Sequence, residues 1–220
     1  MKLPLNAYKT IVFDCDGVLL DSNKVKTSAF FNSAVEYGAS KAQELVDYHI
    51  ARGGVSRYEK FKWFLENVVE EKPNLGIEQL LKNYSNLVAK GLTSCELCSG
   101  LNELREKTKN AKWMIVSGGD QAELRNIFQI RNIDDLFDSG IFGSPDCKEI
   151  IIEREINSGN LELPALFLGD SKYDYTVSTQ FDLDFIFMFG WSEVNEWQFF
   201  CNSAKIYYQK NIEELSKLSP

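Results

Sequence analysis

The sequence predicts an α/β protein, a parallel sheet wound on both faces with a four-helix block inserted into it, and three observations carry that expectation. A β-branched and aromatic run, Thr10, Ile11, Val12 and Phe13, stops abruptly on Asp14, as a buried strand does at the edge of a sheet. From Leu101 onward strand-like runs alternate with helical spacings, the pattern of parallel strands joined by crossover helices. Between these two parts lies a long stretch with helical periodicity and no strand. A lone strand is not stable by itself, so the first strand shares the later sheet and the helical stretch is an insertion.

In chain order, the strand over 10–13 leads to Asp14, Asp16 and Gly17, whose tolerance of positive φ lets the chain turn and keep both acids at the strand's end. Helical spacing then appears at Phe30, Ala34 and Tyr37, at Tyr58, Phe61, Leu65 and Val68, and at Ile77, Leu80, Tyr84 and Leu87. Gly38, Gly53-Gly54, Pro73 and Gly76 punctuate the block, and Ser56 with Glu59 has capping-box spacing for the third helix. The core resumes with a helix over 101–109, a strand over 112–116 ending at Ser117-Gly118-Gly119, and a helix over 121–131. A short strand over 140–142, a helix over 147–157 and strands over 165–168, 185–189 and 206–208 complete it. The division is therefore 1–21 with 93–220 for the core and 22–92 for the helical insert.

With 220 residues, 44% hydrophobic and 25% charged, the chain has the composition of an ordinary globular protein. Its net charge is −8, and no Lys/Arg-rich run offers a track for nucleic acid. Neither a membrane span nor a signal-peptide core is present, and the expectation is a cytoplasmic protein, monomer or homodimer. Five scattered cysteines argue against a disulfide framework. Cys95 and Cys98 form a lone C-x-x-C without further ligands at zinc spacing, and the single histidine, His49, is remote in sequence.

Loops that follow parallel strands gather at one edge of the sheet. Four strand ends thus converge: Asp14 and Asp16, then Ser117 before two glycines, then Lys148 at a helix start, then Asp170 with Asp174 one helical turn on. Carboxylates this crowded repel, each pair at about 4 Å costing on the order of 4 kcal/mol at an effective dielectric near 20. A hard divalent ion with oxygen ligands, Mg²⁺, resolves that repulsion, with Asp14, Asp170 and the backbone carbonyl of Asp16 as protein ligands. Ser117, the glycine N–H groups that follow it and Lys148 are placed to hold phosphate oxygens.

These four signatures, in this order and across nearly the whole chain, resemble those of the haloacid dehalogenase superfamily. Asp14-Cys15-Asp16-Gly17-Val18 resembles its first motif, Ser117 its second, Lys148 its third, and Gly169-Asp170-Ser171-Lys172-Tyr173-Asp174 its fourth. The insert is similar to the C1 helical cap of phosphoglycolate phosphatases and β-phosphoglucomutases, set on a Rossmann-like core. The resemblance implies that Asp14 is the nucleophile and forms an aspartyl phosphate, with Asp16 as acid and base, Ser117 and Lys148 as further catalytic groups, and a Mg²⁺ site drawn from Asp14, Asp16, Asp170 and Asp174. An Asp two residues after the nucleophile favours phosphate esters over dehalogenation.

The stretch Arg52-Gly53-Gly54-Val55-Ser56-Arg57 resembles the G-x-S-R loop of such caps, which makes Ser56 and Arg57 candidates for reading the substrate, with Gly118 and Lys26, and Lys24 beside it. Two departures stand out. Lys26 lies where mutases of this type carry a histidine, and Phe181-Asp182 stands where a small Ala-Gly pair is usual, which implies altered helix packing. The expected activity is that of a Mg²⁺-dependent phosphatase on a small phosphorylated molecule, a sugar phosphate, phosphoglycolate or nucleotide monophosphate. The alternatives are a phosphosugar mutase and a non-catalytic binding protein. Trp191, Trp197, Phe199 and Phe200 are expected to pack on the sheet's edge or in a dimer contact, and His49 in the cap.

Overall fold

The structure, a computed structural model, describes residues 4–69 and 75–218; Pro73 lies outside them, as do the first three residues of the amino-terminal stretch. Strand β1 (Thr10–Phe13) is buried at every position, as expected of an uninterrupted apolar run. Helices α1 (Asn23–Ala34), α2 (Ala39–Ala51), α3 (Arg57–Asn67) and α4 (Ile77–Ser94) follow before the next strand. The core continues with α5 (Leu101–Lys107), β2 (Lys112–Asp120), α6 (Gln121–Ile130), β3 (Ile141–Ser144) and α7 (Lys148–Asn157). It closes with β4 (Ala165–Gly169), α8 (Lys172–Gln180), β5 (Asp184–Met188), α9 (Trp197–Ala204), β6 (Tyr207–Gln209) and α10 (Ile212–Ser216).

Among the described residues the strands form one six-stranded sheet in the order β3-β2-β1-β4-β5-β6, every pair parallel. The order reverses direction at β1, which pairs Phe13 with Ile115 of β2 on one side and with Leu168 of β4 on the other. Asp14 therefore leaves the sheet at its topological switch point, flanked by the ends of β2 and β4, the place where open α/β sheets bind ligands. The two-residue period of the strands divides the core. Ile11, Phe13, Trp113 and Leu168 pack with α5, α6, α10 and the helical insert, while Val12, Met114, Phe167 and Phe187 pack with α7, α8 and α9.

The four inserted helices close on their own aromatic centre, with ring centroids 4.5 Å apart for Phe30 and Tyr84 and 5.2 Å for Phe30 and Phe61. Where the chain leaves the core and returns, its two passes are bonded together: Asp21 N donates to Glu96 O and Cys98 N to Leu19 O, both at 2.9 Å.

The structure differs from the sequence expectations in four places. Strand β2 runs on through Ser117, Gly118 and Gly119 to Asp120, with its register to β3 shifting after Val116. Helix α1 stops at Ala34, and Tyr37 falls in a short 3₁₀ turn before Gly38. The tail forms helix α9, with Trp197 stacked 4.2 Å from Phe189, while Phe199 is 73% exposed. Asp182 follows the end of α8 at φ +55, the left-handed conformation a glycine adopts most easily and an aspartate tolerates. Among the described residues no helix is long and apolar enough to cross a membrane, and the five cysteines are free.

Candidate active site

Asp14, at the end of the central strand, is 2% exposed and held through one oxygen. Its Oδ1 accepts from Cys15 N at 2.7 Å and lies 3.0 Å from Lys148 Nζ. Lys148 opens α7, a position that carries it from the end of β3 to the switch point, and its Nζ also donates to Asp174 Oδ1 at 2.5 Å. Asp174 is in turn fixed by a capping box: Ser171 N and Oγ donate to its Oδ2 at 3.1 and 2.7 Å. Asp170, just past β4, accepts from Asn23 Nδ2 through Oδ2 at 2.8 Å.

Oxygens of Asp14, Asp170 and Asp174 lie within 4.8 Å of one another, all three residues buried. Burial pushes the Asp14 carboxyl up to about 7, with Lys148 pulling against it and Asp174 and Asp16 adding to the rise. Burial, Asp14 and Asp174 likewise raise Asp170 well above the carboxylate range. Burial works against the charge on Lys148, but Asp14 and Asp174 outweigh it and hold the lysine above its usual value. Three acids share one close cation, a deficit of positive charge.

The donor set fits a hard divalent ion. It is all oxygen, and Asp170 Oδ1 accepts no hydrogen bond from the described residues. Asp174 belongs to the cluster by distance, yet both its oxygens are already engaged, one by Lys148 and one by Ser171, so its place is behind Lys148. The Asp16 side chain is not in the cluster. Ser22 Oγ donates to its Oδ1 at 2.5 Å, and Lys26 of α1 forms an ion pair with its Oδ2. Burial tends to raise Asp16, but Lys26 and Ser22 prevail and lower it. Only the Asp16 backbone carbonyl is left for a metal. The Ser22 hydroxyl, at the N-cap position of α1, makes no cap bond and is turned to Asp16 and the carbonyl of Leu20.

Ser117 is fully buried, its Oγ accepting from Gly119 N at 3.0 Å. Gly118 meets the cap: a Cβ on it would lie 2.2 Å from the carbonyl oxygen of Gly54, so the Gly53-Gly54 loop rests directly on the end of β2. Gly17, at φ +75, has Asp170 against it in the same way, 2.0 Å from an added Cβ. The cap is further tied down by Tyr58 Oη to Asp120 Oδ2 at 2.9 Å, by Thr27 Oγ1 to Glu193 at 3.0 Å and by the ion pair of Arg57 with Glu123.

Between cap and core remains a cleft of about 50 Å³, walled by Asp14, Asp170 and Gly118 from the core and Lys26, Arg57 and Lys60 from the cap. Arg57 lies in this wall but is occupied, bonded to Ser85 Oγ at 3.0 Å, paired with Glu123 and stacked 4.6 Å over Tyr84. Ser56 is outside it, serving as the N-cap of α3 by accepting from Glu59 N, and Lys24 is exposed. Among the polar residues of the cleft, the sequence reading missed Asn23, Lys60, Glu193 and, as a wall residue, His49. Lys60 had a signal, standing three residues after Arg57 and so on the same helix face.

The model of the haloacid dehalogenase-like hydrolase family matches residues 8–177. The chain belongs to this family. No protein of curated function matches it. Among solved structures, this hydrolase is similar to a haloacid dehalogenase-like hydrolase of Bacteroides fragilis, at 19% identity and TM-score 0.71 over 94% of this chain and 99% of that one. CbbY of Rhodobacter sphaeroides, solved with phosphate, matches at 16% identity and TM-score 0.70 over 94% and 96%, and a variant of it was solved with xylulose-(1,5)bisphosphate. The β-phosphoglucomutase of Clostridium difficile matches at 17% identity and TM-score 0.68 over 94% and 92%. At these identities the likeness is one of fold.

Proposed function

We propose that this hydrolase is a Mg²⁺-dependent phosphatase that cleaves a small phosphomonoester through an aspartyl phosphate on Asp14. The carrying observation is the asymmetry of Asp14: Oδ1 is clamped by Lys148 and Cys15 N–H, while Oδ2, on a residue lining the cleft, takes no bond from the described residues. That leaves one carboxylate oxygen oriented and available for attack.

In the first half-reaction Asp14 Oδ2 forms a bond to phosphorus, the ester oxygen–phosphorus bond breaks, and Asp16 gives a proton to the leaving alcohol. In the second, Asp16 takes a proton from water, whose oxygen bonds to phosphorus as the Asp14–phosphorus bond breaks, releasing inorganic phosphate. Lys148 and Ser117 hold non-reacting phosphoryl oxygens, and Asp174 keeps Lys148 in place. Asp14, Asp170 and the Asp16 carbonyl would hold Mg²⁺, which when bound would offset the repulsion between the nucleophile and an anionic phosphate. In the present arrangement Lys26 and Ser22 hold Asp16 ionised, suited to the base half-reaction; its acid role requires the Lys26 pair to part.

The test is release of inorganic phosphate across phosphorylated metabolites with Mg²⁺, beside Asp14→Asn. The expected result is turnover of one chemical class, reduced at least about a thousand-fold in the variant. Movement of phosphate within a sugar without release would assign the mutase reaction instead, and silence with every ester would remove the phosphatase reading.

A further inference from the structure

Three cations of the cap line the cleft that holds Asp14. Two already have partners, Lys26 in Asp16 and Arg57 in Glu123. Lys60 has no carboxylate partner: it is 2% exposed, its Nζ lies 2.8 Å from Nδ1 of His49 and 5.5 Å from the Phe30 ring centroid, and it forms no ion pair among the described residues. In its ammonium form Lys60 has no lone pair, so Nδ1 is then the acceptor and the imidazole proton sits on Nε2. That Nε2 is itself buried without a hydrogen-bond partner. Lys60 thus stands in the wall of the cleft between cap and core with no carboxylate among the described residues to receive it.

The charged surroundings do not supply the missing acceptor. Lys26 and Lys148 repel Lys60; Asp16 and Glu193 attract it, but Asp16 is held by Lys26 and Ser22 and Glu193 accepts from Thr27. Burial, then Lys26, pushes Lys60 down to about 7, and burial with Lys60 lowers His49. A buried ammonium without a counter-ion is costly, and an anion arriving in the cleft relieves that cost.

We propose that Lys60, held in place by Nδ1 of His49, forms a subsite for a second anionic group of the substrate, so that the preferred ester carries a carboxylate or another phosphate at the end remote from Asp14. The assignment rests on the phosphatase reading for the location of the reacting phosphate. It adds what the cap selects, a charged tail over a neutral one.

The test is calorimetric binding to the full-length Asp14→Asn protein with Mg²⁺, which does not depend on turnover. Three probes are compared: 2-phosphoglycolate with a carboxylate tail, xylulose-(1,5)bisphosphate with a phosphate tail, and glycerol 3-phosphate with a neutral one. At least one anionic-tail probe is expected to bind about ten-fold or more tightly than glycerol 3-phosphate, the range of a hydrogen bond to a charged group. Which of the two gains identifies the tail. Adding Lys60→Met should erase the difference while leaving glycerol 3-phosphate within about two-fold. With Lys60 intact, the preference should shrink from about pH 6 to about pH 9 as the free lysine discharges, a readout that needs no variant at that position. No preference for an anionic tail, or one that survives Lys60→Met, overturns the assignment. If the wild type releases no phosphate from any ester while the preference stands, only the phosphatase reading fails.

Discussion

Lys60 and Asp14, a base and an acid, face one small cleft, and burial pushes each toward its neutral form. For Lys60 the value in the folded protein, about 7, lies below the ordinary lysine value of 10.5. Between the two the unfolded chain binds one more proton than the folded one, so stability rises with pH across that window, by up to about 1.4 kcal/mol per unit. Urea unfolding of the ligand-free protein near pH 7 and near pH 9 should therefore show the wild type gaining on Lys60→Met by about 1–2.5 kcal/mol. Equal pH slopes would mean that Lys60 keeps its charge in the fold. At this scale the positions of Asp14 and Lys148 were legible, because they follow the end of β1 and open α7, whereas Ser117 falls inside β2 and not at its end. The sequence was silent about the diversion of Asp16 to Lys26, a pairing ten residues apart that depends on how α1 crosses the cleft.

Among the elements, those with a strong local pattern were legible. Strand β1 is four apolar or β-branched residues with an acid after it, and α6 and α7 fall within a residue of their expected bounds. The continuation of β2 through two glycines was not, since glycine has no strand preference and the pairing of Asp120 with Ser144 comes from β3. Helix α9 was missed because Trp197, Phe199 and Phe200 are weak helix formers, and it is packing on Phe187 and Phe189 that makes the segment helical. The glycines in β2 have a steric reason. A methyl group on Gly118 would meet the Gly54 carbonyl at 2.2 Å, backbone against backbone, with no side chain to yield. Gly118→Ala should hold the cap off the core and lower kcat/KM by about a hundred-fold, the usual effect of a misplacement near 1 Å, with an unchanged circular dichroism spectrum. Full activity would show that the working enzyme does not use this contact.

For the whole molecule, the balance of charge at the switch point sets how stability responds to metal. Asp14, Asp170 and Asp174 crowd around one lysine, so an added dication should stabilise the fold. At a hundred times its Kd, Mg²⁺ contributes about 2.7 kcal/mol, or about 5–10 °C in Tm for a chain of this size. Asp170→Asn should lose that increment and, without metal, melt at or above the wild-type temperature, because a repelling carboxylate is gone. Thermal melts with Mg²⁺ and with EDTA decide it; an unchanged Mg²⁺ shift in the variant would place the ion elsewhere. The succession of one strand, four helices and then alternating helices and strands was readable because periodicity changes from strand to helix at the acidic loop. The closed seat of cap on core was not, since it is made by backbone contact at Gly118 and by long-range pairs such as Tyr58 with Asp120.

The two chain passes between core and cap are joined by backbone hydrogen bonds, from Asp21 to Glu96 and from Cys98 to Leu19. The insert thus begins and ends at nearly the same point in space, as a cassette clipped into a socket. A cassette of different length or shape can be spliced into that socket without moving a single strand of the sheet. Selection for a new substrate can therefore act on the insert alone while the reacting aspartate stays where β1 delivers it.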